Sequence, residues 1–293
     1  MEVGRILDSL QHRRGMDHSM DRIPHRHADR AIIRNTAKRG TPNVRRQQYT
    51  QIRKMKSYIT DNNNKAILSE QMKIIELIDA DYRLLSIIMR LDITLPFGDI
   101  SVEQMCRRYD MSPTLFLMIC RVYSDEDYTP DIEGLNIGDM LHLIRFLRAS
   151  HRYYLDHMIP RITQGMQRVL AACEKRQSDI LRRFYENYIA EVEAHLAYEE
   201  TTIFPYVEAL AAGRADGTMH MRSFMANHTD ICDKIDDMKS VVIKYLPESC
   251  PTQQRCELLF DIFRMKEDLG KHTRLESTLL APVATNAEEA AES

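Results

Sequence analysis

Histidine and glutamate interrupt otherwise apolar helical faces in the second half of the chain. The six residues concerned are His151, His195, Glu199, His228, His272 and Glu276. Two pairs have the spacing His-x-x-x-Glu, which puts both side chains one turn apart on the same helix face. Burying two carboxylates is costly unless each is paired or binds a cation. The pattern therefore predicts a metal site.

The apolar residues around these six recur every three or four positions, as on a buried helix face. The four faces are Met140, Ile144, Leu147, Leu155 and Met158; Leu181, Tyr185, Tyr188, Val192 and Ile203; Met221, Met225, Ile231 or Cys232, Ile235, Met238 and Val242; and Leu258, Ile262, Met265, Leu269 and Leu279. His142, His157 and His220 fall outside these faces, so we expect them not to bind the metal.

A single histidine on an apolar face is more often a satisfied core residue, and a single His-x-x-x-Glu is often a surface pair. Four faces with the same pattern favour a metal site. Six ligands exceed the four of a closed zinc site, so we expect two ions with both glutamates as bridges. Nitrogen and oxygen donors suit iron or manganese. Glu191, one turn before His195 on the same face, is either a base beside the ligands, a ligand on the path by which iron leaves, or a surface carboxylate.

Four long helical periods must position these residues. They cover about 137–159, 167–211, 217–246 and 252–281, with proline or glycine in each short separator. Short connections favour antiparallel neighbours. The sequence thus predicts an all-α fold, with an up-down-up-down four-helix bundle at 137–283 and a disordered tail at 284–293.

A smaller helical domain is predicted at 65–124, followed by an acidic, turn-rich linker at 125–136. Ser101 and Gln104 form a capping box, and Ser112-Pro113 supplies a cap followed by an N1 proline. Residues 1–64 lack any helical or strand period and are predicted to be a disordered basic arm.

Charged residues are unevenly distributed along the chain, with a basic N-terminal segment and an acidic remainder. Residues 1–56 carry 14 Lys and Arg against 5 Asp and Glu, and the remainder carries 26 against 38. The arm is a solvated tail, an over-long start before Met55, or an arm for nucleic acid or a membrane surface. The acidic remainder argues against a nucleic-acid partner. The cysteines show no disulfide pattern and no apolar run could span a membrane, so we expect a cytoplasmic protein.

The motifs resemble those of the hemerythrin-like superfamily, and within it the repair-of-iron-centres proteins. The matching stretches are Ala149-Ser150-His151, His195-Leu-Ala-Tyr-Glu199-Glu200-Thr-Thr-Ile-Phe-Pro205, Asn227-His228-Thr-Asp, and Lys271-His272-Thr-Arg-Leu-Glu276 through Pro282. Residues 70–123 also look like the N-terminal domain of that family. The resemblance implies a non-haem di-iron centre with four histidines and two glutamates as ligands.

Two departures from family patterns bear on this resemblance. Oxygen-carrying hemerythrins have a second histidine where this chain has Cys232, which favours the repair-type ligand set. The repair family has a Cys-Cys pair where this chain has Leu95-Pro96. Leu95-Pro96 has no thiol, so this position can neither perform thiol redox chemistry nor hold a metal or cluster through sulfur.

The resemblance implies repair of iron–sulfur clusters damaged by nitric oxide or oxidants. Its expected ligand is nitric oxide or oxygen, and its expected partners are damaged iron–sulfur proteins. An oxygen or nitric oxide binding and sensing module is the alternative, and a small redox enzyme is a third. The sequence leaves catalytic turnover and oligomeric state open.

Overall fold

The computed structural model describes residues 66–94, 96–214, 221–227 and 231–292. Within these ranges the regular secondary structure is helical, as predicted, apart from isolated bridge residues such as the pair Lys73 and Ser101. The predicted arm at 1–64 lies outside the described residues.

Short helices precede long ones. The short helices are α1 (Ile74–Ala80), α2 (Leu85–Arg90), α3 (Val102–Arg108) and α4 (Pro113–Ser124). The later helices are α5 (137–170), α6 (175–211), α7 (Met221–Asn227), α8 (Ile231–Tyr245) and α9 (252–292).

The later helices form the predicted bundle. Helix α5 contacts α6 and α9, and α8 contacts the same two helices, so α5, α6, α8 and α9 close a ring of four. Short turns at 171–174 and 246–251 join neighbouring helices, which makes them antiparallel. Gly165 lets α5 approach α9 closely, because a Cβ there would lie 3.2 Å from Leu258 Cδ1.

Local capping sets the starts of three helices. Ser101 Oγ accepts from Gln104 N–H at 3.2 Å, and Gln104 Oε1 accepts from Ser101 N–H at 3.1 Å. Ser112 Oγ caps α4 through Leu115 N–H, and Asn136 caps α5 through Gly138 N–H. The two caps predicted from sequence, at Ser101 and Ser112, are confirmed.

Pro160 does not end the first bundle helix, which was predicted to stop at 159 and runs to 170. A π turn at Tyr154–Met158 precedes the proline, and Ile159 N–H donates to Tyr154 O, five residues back. The wider turn makes room for a proline ring that would clash with the carbonyl four residues earlier in an α-helix. The second helix consequently begins at Lys175 and not at 167.

The predicted end of the last helix is also wrong. Helix α9 continues to Glu292, over most of the tail that was expected to be disordered. Val283 and Ala284 are buried, and Glu288 accepts from Tyr206 Oη at 2.6 Å and from Met221 N–H at 2.9 Å. Packing and these hydrogen bonds hold the extra turns, although the Ala- and Glu-rich sequence showed no strong apolar period.

Two apolar clusters fill the described part of the bundle. The first joins the short helices to one bundle end and includes Leu147, Phe204 and Leu275. The second fills the rest and includes Tyr154 and Leu269. On α5, α6 and α9, the histidines and glutamates predicted to bind a metal lie at the boundary between the two clusters.

The short helices share the first cluster with the bundle. Helix α2 contacts α5, and α4 contacts α9. Residues 125–136 contain no helix, and Tyr128, Ile132 and Leu135 pack against the same cluster. The division into a separate small domain and a linker stays a prediction.

Among the described residues, no helix has the length and apolar character that crossing a membrane requires.

Candidate metal centre

Four acidic and imidazole side chains meet between the two apolar clusters. His151, Glu199, His272 and Glu276 each offer one ligand atom, and these atoms all lie within 4.8 Å of one another. The four residues are at most 2% exposed. Two carboxylates and two imidazoles buried this closely are a donor set suited to a divalent cation.

Glu199 lies at the centre of the group. Its Oε1 is 2.8 Å from His195 Nε2, and its Oε2 is 3.1 Å from His151 Nε2 and 3.7 Å from His272 Nε2. His195, at 10% side-chain exposure, therefore joins the cluster through Glu199. The two oxygens face imidazoles from different helices, which is the arrangement a bridging carboxylate needs.

The other contacts link α5 and α9 directly. His151 Nε2 lies 3.1 Å from His272 Nε2, and His272 Nε2 lies 3.0 Å from Glu276 Oε1. Their closeness brings lone pairs and negative oxygens to one point, where only a cation or a proton can offset the repulsion.

Three π turns lie at the level of the cluster. They begin at Tyr154, Glu199 and Glu276, and each is followed by a proline six residues after its first residue. Phe204 N–H donates to Glu199 O, and Ala281 N–H donates to Glu276 O, both across five residues. The prolines thus explain the turns, and π turns of this kind are frequent at functional sites.

Glu200 orients His151 from outside the cluster. His151 Nδ1 lies 2.8 Å from Glu200 Oε1, so a neutral ring with its proton on Nδ1 presents the Nε2 lone pair to the other ligands. Arg148 contacts Glu200 at 3.0 Å and also pairs with Glu208. Burial alone would raise the pKa of Glu200, but His151 and Arg148 together hold that pKa below its usual value.

Charge balance supports a cation site. Burial acts to lower the pKa of His272, but the Glu276 and Glu199 carboxylates outweigh it and raise this pKa to about 10. Without a metal, His272 therefore carries a proton at neutral pH that partly offsets the two carboxylates. A bound cation would replace that proton, so the residues present fit a metal.

This replacement predicts a pH dependence for the metal-free protein. The pKa of His272 is about 10 when folded against 6.5 for a free imidazole, so its contribution to stability is complete below 6.5 and is lost as pH rises toward 10. We expect the thermal midpoint measured with chelator to fall across that window. His272→Gln should flatten the fall, and an unchanged slope in that variant would contradict the assignment.

Glu200→Gln tests the orienting hydrogen bond. The amide keeps the size of the side chain but loses the charge that fixes the His151 tautomer, so we expect metal affinity to fall about 10–100-fold. Glu208→Gln is the matched control, because Glu208 also pairs with Arg148. Equal losses in both variants, measured by competition with a chromophoric chelator, would mean that general surface charge sets the affinity.

The predicted ligands are placed as follows. Five of the six, all except His228, come together as described above. His228 and His220 lie outside the described residues. His157 is exposed and His142 half-buried, as expected of residues outside the apolar faces.

Three neighbouring positions differ from the sequence-based picture or refine it. Glu191 is exposed and pairs with Lys234, which agrees with the surface alternative. Leu155 was predicted to be buried but is 38% exposed, and Tyr154, the first residue of the π turn, is buried instead. Glu200 was not singled out from sequence, although its position next to Glu199 in a buried turn was a usable signal.

Comparison with known proteins agrees with this geometry. Residues 142–284 match the family model described as the hemerythrin HHE cation binding domain. All six predicted ligands lie within the matched range. Neither a curated protein nor a solved structure matches the chain. The family match and the buried His/Glu cluster support an all-α hemerythrin-like bundle that is a metal-binding module.

Proposed function

We propose that this protein is a non-haem di-iron protein of the iron–sulfur cluster repair type, which responds to nitrosative or oxidative stress. The observation that carries the di-iron part is the buried cluster in which Glu199 faces imidazoles with both oxygens. Its six ligands would be His151, His195, Glu199, His228, His272 and Glu276.

Two buried carboxylates among the imidazoles favour two ions over one, and both would bridge the ions. Glu199 meets His195 through Oε1 and His151 through Oε2, and Glu276 Oε1 lies 3.0 Å from His272 Nε2. Four neutral imidazoles and two carboxylates contribute two negative charges, which only partly offset two divalent cations. Two iron ions bound there would supply one-electron redox chemistry and an open position for nitric oxide or oxygen.

The protein's own residues would shape that chemistry. Phe204 stacks on the His151 ring with centroids 5.3 Å apart, and the apolar clusters on both sides keep bulk water from the ligands. Glu200 and Arg148 hold the His151 tautomer and connect it to the surface. A small uncharged molecule suits such a site better than a charged substrate would.

A sensing module is the second candidate. Leu95-Pro96 stands where the repair family has two cysteines, so thiol chemistry at that position is absent from the sequence. The short helices also pack in one cluster with the bundle, which provides a route from the centre to a partner surface. In this alternative, the centre binds nitric oxide or oxygen reversibly without turnover.

One set of measurements on freshly purified protein tests the proposal. Metal analysis should give two irons per chain, since fewer than two metals of any kind would contradict a dinuclear site. The iron-loaded protein should then restore activity to an iron–sulfur enzyme damaged by nitric oxide. Reversible binding of nitric oxide without such restoration would favour the sensor, and steady consumption with an electron donor would indicate a redox enzyme.

A further inference from the structure

A buried arginine from the short helices reaches the bundle next to the proposed centre. Arg90 ends α2, and its side chain is 1% exposed. Its Nη1 donates to Asp268 Oδ1 at 2.9 Å, and its Nη2 contacts Asp268 Oδ2, so the guanidinium contacts both carboxylate oxygens. Bidentate ion pairs of this kind fix the orientation of the two side chains as well as neutralising their charge.

Aromatic rings surround the guanidinium. Its carbon lies 4.8 Å from the ring centroid of Tyr153, 5.5 Å from that of Tyr154, 5.8 Å from that of Phe146 and 6.0 Å from that of Tyr123. Cation–π attraction is strongest when water is excluded, as it is here. The ion pair is therefore held in a single arrangement.

Asp268 connects Arg90 to a proposed ligand. It lies one turn before His272 on α9, and it accepts from Tyr123 Oη at 3.0 Å and from Tyr154 Oη at 3.3 Å. The Tyr154 ring packs edge-on against the His272 ring, with centroids 5.7 Å apart. Tyr154 opens the π turn of α5, the place that Glu199 and Glu276 occupy in their own helices.

Loss of Arg90 would leave the Asp268 carboxylate, whose side chain is only 13% exposed, without its cation. Such a group draws in water or moves toward it, because an unpaired buried charge is costly. Any movement of Asp268 changes the hydrogen bond that holds Tyr154 and the turn of α9 that carries His272. The position of His272 thus depends on a residue outside the bundle.

We propose that Arg90 is a positioning residue for the metal centre, so that docking of the short helices sets its metal affinity. This inference rests on the proposed metal site. It assigns the short helices a regulatory role, since anything that withdraws Arg90 from Asp268 would loosen the centre.

The experiment titrates the metal-free full-length chain with Co²⁺ and follows the visible spectrum. Arg90→Met removes the charge at similar size, and we expect affinity to fall about 10–100-fold with a changed spectrum, the range for residues that orient ligands. Arg90→Lys restores the positive charge without the two guanidinium nitrogens that contact both Asp268 oxygens, and it should bind Co²⁺ more tightly than Arg90→Met.

Two control variants separate positioning from loss of stability. Leu258→Ala creates a cavity at a buried position of the second apolar cluster, fourteen residues before His272 on α9, and should lower the thermal midpoint without changing Co²⁺ affinity. Arg83→Met removes partly exposed contacts to Asp81 and to Glu267, the neighbour of Asp268, and should also leave affinity unchanged.

The outcomes distinguish the two levels of the proposal. Wild-type affinity and spectrum in folded Arg90→Met, or an equal loss in Leu258→Ala, would overturn the role of Arg90 and leave the metal site intact. Failure of the wild-type chain to bind Co²⁺ would overturn the metal site itself, and the role of Arg90 with it.

Discussion

Glu199→Gln is expected to weaken metal binding at least about 100-fold, more than a change in a group that only orients a ligand. The variant keeps the shape of the side chain but removes the negative charge of a carboxylate whose two oxygens lie near three imidazoles. With metal in excess, a hundredfold loss of affinity lowers the free energy of unfolding by about 2.7 kcal/mol. Thermal unfolding with and without chelator measures this difference.

The metal-free form should respond differently to the same change. Without a cation, Glu199 adds negative charge to a layer that already holds Glu276, so a neutral amide should leave the metal-free midpoint unchanged or raise it. Glu208→Gln is again a suitable surface control. If Glu199→Gln shifted the midpoint equally with metal and with chelator, Glu199 would have a structural role only.

His151→Gln and His157→Gln should differ sharply, although the two residues lie less than two turns apart on α5. His151 is 2% exposed with Nε2 facing Glu199, and His157 is exposed on the π turn beyond it. We expect His151→Gln to lose most bound metal, because a primary nitrogen ligand is removed, and His157→Gln to keep wild-type content. Elemental analysis after purification in parallel is the measurement.

A loss of metal in His157→Gln would show that the first-helix ligand is wrongly assigned. Wild-type metal content in His151→Gln would remove α5 from the centre altogether.

The apolar faces and five of the predicted ligand positions follow from the helical period alone. A period of 3.6 residues places His195 with Glu199 and His272 with Glu276 on buried faces whatever the other helices do, and the structure brings them together with His151. The caps at Ser101 and Ser112 depend on residues within three positions, so they too are readable locally.

The period becomes unreliable where the helix itself changes. The π turns at Tyr154, Glu199 and Glu276 add a residue to one turn, and the turn at Tyr154 lets α5 continue past Pro160. In the sequence, a proline predicts the end of a helix, and only the packing of the surrounding helices shows that the helix continues past it. The helical tail to Glu292 was missed because its contacts, Tyr206 and Met221, are far away in sequence.

The sequence by itself thus determined the helix class, the bundle and which imidazoles and carboxylates face inward, because these depend on residues within one or two turns. Only the tertiary structure shows which other side chains orient these imidazoles and carboxylates. Glu200 reaches His151 across 49 positions, and Arg90 reaches Asp268 across 178. Such pairs have no local spacing, and they form because packing of the helices brings the charges together where a buried charge without a partner would be too costly.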